Sequence, residues 1–293
     1  MLNYKRGCAH TFMGCEDSLD DSHVVVLPVP YDAAASYNTG MRFAPRNIIT
    51  SSHNIETFDP ELGAEIIDKV RIHTAHPIEP NLSSPKAMAD DVYDVVKQMI
   101  ELGKFPLILG GDHSISFGPV RAFSEKFPDL TVLQIDAHAD LLDEFEGTRY
   151  SHACIMRRAE ELGVNTIHIG VRSYSQSEHE HMKEAKIIFK APFRIEQIPK
   201  IIEACTDDVY LTIDSDGFDP SLMPGTGTPV PGGLLWYESL ALFRELFSKK
   251  NVVGMDFVEL CPLGTDTRSE DVAAMLLYKL IGYKFKNYLK KST

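Results

Sequence analysis

Six side chains able to ligate a metal stand at the ends of three apolar runs. His113 follows FPLIL in GGDHS; Asp136, His138 and Asp140 follow LTVLQI in DAHAD; Asp214 and Asp216 follow VYLTI in DSDGFDP. An extended backbone sends residues i, i+2 and i+4 to one side, so each group is expected to converge. One Asp or His at a strand end is usually a cap or turn residue. Six in three groups, at the carboxyl ends of strands where open α/β sheets place their ligands, outweigh that reading. Four carboxylates and two imidazoles are too many donors for one closed zinc site. They suit two adjacent ions of intermediate hardness, such as manganese. Two divalent ions would cancel four aspartate charges and lower the pKa of water to roughly 7, the chemistry of a hydrolase. Glu259, closing the run VVGMDFVEL, and His152 complete the polar set. A carboxylate beside an anionic nucleophile favours a cationic electrophile, and a guanidinium pairs with carboxylate in a planar, bidentate way.

The elements that must position these groups alternate along the chain. Strands are predicted at HVVVLPVPY, VRIHTAHPI, FPLIL, LTVLQI, NTIHIGV, AKIIF, VYLTI and NVVGMDFVEL. Between them, apolar residues at helical spacing (Met88, Val92, Val95, Val96, Met99, Ile100) predict a helix within Ser84–Leu102. Further helices are expected near Gly118–Lys126, His152–Leu162, Glu178–Glu184, Glu196–Ala204 and Tyr237–Ser248, with a last one from Ser269. The helices between the first strands are poorly defined. Val/Ile/Leu-rich strands separated by helices mean a parallel sheet covered on both faces, and an open doubly wound sheet is favoured over a closed barrel. With no linker, low-complexity tract or repeat, residues 1–293 are expected to form one domain. The glycines of PGTGTPVPGG lack the lysine of a phosphate loop. That stretch reads as a rigid loop walling the metal site.

A formal net charge of −13 over 293 residues disfavours nucleic acid and anionic membrane surfaces as partners. No apolar run approaches the ~18 residues of a membrane span, and the N-terminus has no signal-peptide pattern. Five scattered cysteines suit a reducing cytoplasm better than a disulfide framework. Cys8, His10 and Cys15 offer three ligands without a fourth, too few for a closed site. The terminal lysines Lys279, Lys284, Lys286, Lys290 and Lys291 read as a solvated helix face.

The motifs GGDHS, DAHADL, SHACIMRRA, DSDGFDPSLMPGTGTPVPGG and DFVEL, with PYDAAASYNTGMRFAPRNI near the N-terminus, resemble the arginase/agmatinase (ureohydrolase) family over nearly the whole chain. The resemblance implies a three-layer α/β/α fold with an eight-stranded parallel sheet. It also implies two manganese ions per chain, hydrolysis of a guanidino group to urea and an amine, and assembly as trimers or hexamers. Carried over by position, His113 and Asp140 match ligands to one ion, His138 and Asp216 to the other, and Asp136 and Asp214 bridge both. His152 matches the proton donor to the leaving amine and Glu259 the carboxylate that holds the guanidinium. Thr228 would help to position that group.

The substrate's tail is read by loops. Arginases carry an Asn and a Ser/Thr-rich loop after their DAHAD equivalent. This chain has LLDEFEGTRYSHACIMRRA, acidic and similar to agmatinases. Asp143 or Glu144 is expected to meet a tail ammonium, which makes agmatine the first choice, with putrescine as product in polyamine synthesis. Aminopropylagmatine is the near alternative. Guanidinobutyrate would have only Arg149 for its carboxylate, and arginine ranks lower. Readings from other classes are a single-zinc, deacetylase-like hydrolase and a non-catalytic regulator. The full set of six ligands and His152 argues against both.

Overall fold

Val24–Val29 is buried throughout, yet its side chains divide between two separate apolar clusters: Val24 and Val26 join one, Val25, Leu27 and Val29 the other. This period-two division runs through the molecule. Leu107 and Leu109 oppose Ile108; Leu133 and Ile135 oppose Val132; Leu211 and Ile213 oppose Tyr210. A sheet buried on both faces must be covered by helices on both, which fixes three layers.

The computed structural model describes residues 10–183 and 187–289. Its main sheet has eight strands: β1 Val24–Val29, β2 Ile72–Thr74, β3 Phe105–Gly110, β4 Thr131–Ile135, β5 Asn165–Val171, β6 Ile188–Lys190, β7 Asp208–Asp214 and β8 Asn251–Val258. All are parallel, in the order β2-β1-β3-β8-β7-β4-β5-β6. The doubly wound expectation is met. Helices α1 Ala44–Ser52 and α2 Pro85–Glu101 precede β3, and α3 Phe117–Lys126 and α4 Ile155–Glu161 flank β4. Next come α5 Gln176–Met182, α6 Ile198–Ala204, α7 Trp236–Lys249 and α8 Arg268–Lys284. Residues of α1, α6, α7 and α8 fill one apolar layer; those of α2, α3 and α4 fill the other. Ser84 caps α2, its hydroxyl accepting from the Ala87 N–H at 3.1 Å, a bond whose loss costs about 1 kcal/mol.

The early segment differs most from the sequence reading. α1 has nine residues, Pro45 in its first turn and no capping side chain. VRIHTAHPI contributes only Ile72–Thr74 to the sheet. A short antiparallel pair, Phe58–Asp59 with Ala64–Glu65, had no alternating pattern to announce it. The helix expected from His152 opens with a 3₁₀ turn, His152–Cys154. Cys8, Glu184, Ala185, Lys186, Lys290 and Lys291 lie outside the described residues.

The order of strands does the positioning. β3, β8, β7 and β4 are consecutive in the sheet. Their carboxyl ends therefore gather GGDHS, VEL, DSD and DAHAD although these are far apart in the chain.

Candidate metal centre

His113 opens a 3₁₀ turn whose cap is Asp112, with the Asp112 carboxylate accepting from Ser114 N–H at 3.0 Å and from Ala34 N–H at 3.0 Å. Gly111 must be glycine because a Cβ there would sit 1.5 Å from the Tyr31 carbonyl oxygen. The imidazole is held at its far edge. Thr212 donates its hydroxyl to Asp256 at 2.6 Å, so at 2.8 Å it accepts from His113 Nε2. Nδ1 then faces inward, 3.2 Å from Asp136 Oδ2, 3.0 Å from Asp140 Oδ2 and 3.4 Å from Asp214 Oδ2.

The DAHAD residues converge, but not on an extended backbone. β4 ends at Ile135, and Asp140 adopts a left-handed conformation with φ 54°. That turn lets the Asp140 carbonyl accept from Met156 and Arg157 N–H at 3.1 Å each, at the start of α4. Asp136 Oδ1 accepts from His138 N–H at 2.6 Å. His138 Nδ1 lies 3.0 Å from Asp216 Oδ2 and 3.5 Å from Asp136 Oδ1. Asp214 ends β7, and Asp216 follows in a 3₁₀ turn, where Asp214 Oδ1 accepts from Asp216 N–H at 2.8 Å. Turn hydrogen bonds thus do what strand alternation was expected to do.

Two triads result, His113–Asp136–Asp140 and Asp136–His138–Asp216, the donor atoms of each within 4.8 Å of one another and Asp136 common to both. Asp214 stands against the first through His113. The donor set fits two cations of mixed oxygen and nitrogen preference. His113 Nδ1 is buried without a hydrogen-bond partner. Burial alone would keep His113 neutral, yet Asp136, Asp140 and Asp214 together hold its pKa well above the usual value. His138, likewise opposed by burial, is pushed up to about 12 by Asp136 and Asp216. Both positions call for positive charge.

A cavity of about 230 Å³ opens onto this cluster; His152, Thr228, Glu259 and Glu178 are among its lining residues. Thr228 donates to Asp216 Oδ2 at 3.0 Å. His152 packs edge-on to Phe145 at 5.6 Å, with Ser36 Oγ 3.3 Å from Nε2 and Ser151 Oγ 3.2 Å from Nδ1. Burial lowers its pKa. Glu259, at φ 61°, is buried, and that burial pushes its carboxyl well above the usual range. No lysine or arginine is among the described residues lining the cavity.

Asp143 does not join this group. It is exposed and accepts from Arg149 Nη2 at 2.9 Å and Arg158 Nη2 at 2.7 Å, which bring it down to about 2. Glu144 is exposed as well. The Asp143 carboxylate is thus turned to Arg149 in the loop and Arg158 in α4. Glu178 is the carboxylate that the sequence reading passed over. It is buried, and it accepts from Ser175 N–H at 2.7 Å and Leu141 N–H at 3.2 Å. The spacing Ser175–Glu178 is a capping box and was legible as one. Arg172 was also unforeseen. Its guanidinium donates to the carbonyls of Asp216 at 2.6 Å and Val230 at 2.7 Å, pinning the proline-rich loop to the ligand turn.

Residues 22–282 match the Arginase family, and the chain belongs to it. An N(1)-aminopropylagmatine ureohydrolase from Synechocystis sp. is 42% identical over 284 residues, covering 94% of this chain and 93% of the relative. An agmatinase from Bacillus subtilis is 33% identical over 280 residues, covering 91% and 95%. The solved agmatine ureohydrolase of Thermoplasma volcanium superposes with a TM-score of 0.87 at 31% identity, covering 97% of each chain.

Proposed function

We propose that this enzyme hydrolyses a guanidine carrying a cationic aminoalkyl tail, yielding urea and an amine. The observation that carries the reading is the cavity itself: among the described residues its lining brings His113, Asp140, His138 and Asp214 together with Glu259 and Glu178, and includes no lysine or arginine. Such a wall repels a substrate carboxylate and attracts a dication.

His113, Asp140, Asp136 and Asp214 would hold one manganese ion, and His138 and Asp216 the other, with Asp136 and Asp214 shared. When bound, the ions offset the aspartate charges and make a water acidic enough to attack near neutral pH. Glu259 holds the guanidinium by charge-assisted hydrogen bonds. Thr228, anchored on Asp216, steadies the same end. His152, which burial keeps neutral at rest, takes up the proton released by the attacking water and passes it to the nitrogen of the departing amine. One water and one guanidinium thus become urea and a protonated amine. Glu178, rather than Asp143, is the carboxylate available to the tail.

Agmatine, an aminobutyl guanidine, is the first substrate of this kind to test and would give putrescine. N1-aminopropylagmatine is the second reading, favoured by the 42% identical Synechocystis relative of that name. Urea release from agmatine, N1-aminopropylagmatine, arginine and guanidinobutyrate at equal concentration decides the order. Preference for either acid would overturn the cationic tail. The proposed setting is the cytoplasm, as a trimer or hexamer. Four cysteines outside any disulfide are compatible with a reducing compartment, and among the described residues no helix is long and apolar enough to cross a membrane.

A further inference from the structure

Gln134 and His168 take no part in the reading above, yet they stand directly behind it. Gln134 lies in β4, two residues before Asp136, and is fully buried. Its Nε2 donates to Asp136 Oδ2 at 2.7 Å and to Asp140 Oδ2 at 3.1 Å. These are the oxygens that face His113 Nδ1. A primary amide has two hydrogens on nitrogen, so both are committed to carboxylate oxygens on the His113 side; Asp136, which the two triads share, turns its other oxygen, Oδ1, to His138.

The amide oxygen fixes which way round the group sits. Gln134 Oε1 lies 2.7 Å from His168 Nδ1 on β5, and the two residues face each other in the strand register. An amide oxygen only accepts, so His168 Nδ1 carries the hydrogen. Were the amide reversed, Oε1 would confront the two carboxylates of Asp136 and Asp140, acceptor against acceptor. His168 is itself buried, and that burial brings it down to about 4, so the ring is neutral. Its Nε2 has no partner. The bond to Gln134 is thus the hydrogen bond of this ring among the described residues, and the ring does not touch either triad.

We propose that His168 and Gln134 form a positioning pair: His168 locks the Gln134 amide, and the amide holds Asp136 and Asp140 ready for the cation of the His113 triad. The pair sets the affinity of that one metal position and leaves the His138–Asp216 position largely alone. This rests on the two-metal reading. Partners that orient ligands from behind typically change metal affinity by about 10–100-fold when removed.

Manganese content after dialysis against graded free manganese, with the electron paramagnetic resonance of the bound ions, tests the pair. Wild type, Gln134→Met, His168→Phe, His168→Asn and the double variant Gln134→Met/His168→Phe are compared, each with its thermal midpoint. In Gln134→Met and His168→Phe one of two equivalents should weaken at least about 10-fold, while the other moves less than about threefold. The signal of the coupled pair should give way to that of an isolated ion. His168→Asn keeps an N–H near the place of Nδ1 and should restore the second equivalent. The double variant should bind no more weakly than Gln134→Met alone, because His168 acts through the amide. Wild-type binding of both ions in every variant overturns the pair and leaves the two-metal reading standing. Equal weakening of both positions, with a lowered thermal midpoint and no rescue by Asn, overturns it in favour of plain core packing. A wild-type protein that binds fewer than two ions overturns the two-metal reading and the pair together.

Discussion

Oε1 of Glu259 accepts the backbone N–H of His113 at 2.7 Å. This bond ties the end of β8 to the turn after β3 and aims the other carboxylate oxygen, Oε2, away from that contact. Glu259→Gln keeps an acceptor for His113 and removes only the charge. Losing one partner of a desolvated ion pair costs about 2–5 kcal/mol, so kcat/KM for the guanidine should fall by about 30-fold or more at unchanged manganese content. Steady-state urea release together with metal analysis checks it. Wild-type kcat/KM would remove the guanidinium clamp from Glu259.

His152 touches no ligand and is held between Ser36, Ser151 and Phe145. Its replacement should therefore spare metal loading and substrate binding. For His152→Asn the expected result is a kcat lower by about 10²–10⁴, the usual worth of a positioned acid, with KM changed less than about threefold. A KM effect without a kcat effect would make it a binding residue instead.

Asp143 gives the contrary expectation. Its carboxylate is already shared by Arg149 and Arg158. Asp143→Asn should leave KM for agmatine and N1-aminopropylagmatine within about twofold of wild type, as Asp143 is not among the residues that line the cavity. A tenfold rise in KM for either amine, measured side by side with guanidinobutyrate, would return the tail to the acidic loop.

The contrast between Asp143 and the six candidate ligands marks how far the sequence could be read. His113, Asp136, His138, Asp140, Asp214 and Asp216 were legible because each follows a strand, and residue types that bind metals are rare together there. The strands were legible from short Val/Ile/Leu runs. What alternation could not supply was the path of the chain beyond each strand end. Asp140 and Glu259 reach the site through left-handed backbone, and Asp216 through a 3₁₀ turn. The direction of Asp143 depended on Arg158, fifteen residues on and buried in α4, a tertiary partner that no local pattern reveals. Gln134 was hidden for the opposite reason. A glutamine in an apolar strand reads as tolerated polarity until its partner on the next strand is seen.

Far from the metal centre, Glu61 makes a pH-dependent contribution to stability. It accepts from Arg244 Nε at 2.7 Å, from Lys279 Nζ at 3.0 Å and from the Tyr283 hydroxyl at 2.9 Å, while Lys279 also reaches Asp59 at 2.7 Å. Burial opposes the carboxylate, but these donors bring its pKa from 4.5 to about 2. A carboxyl whose folded pKa is depressed stabilises fully above its unfolded pKa and loses that contribution as pH falls toward the folded one. The window is therefore from about pH 5 down to about 2. With the side chain 31% exposed, solvent screening leaves about 1–2 kcal/mol at neutral pH. Chelator-treated wild type and Glu61→Gln, compared by urea denaturation, should differ by that amount at pH 7 and converge as the pH approaches 2. A difference that is constant across this range would mean that Glu61 contributes packing and not charge.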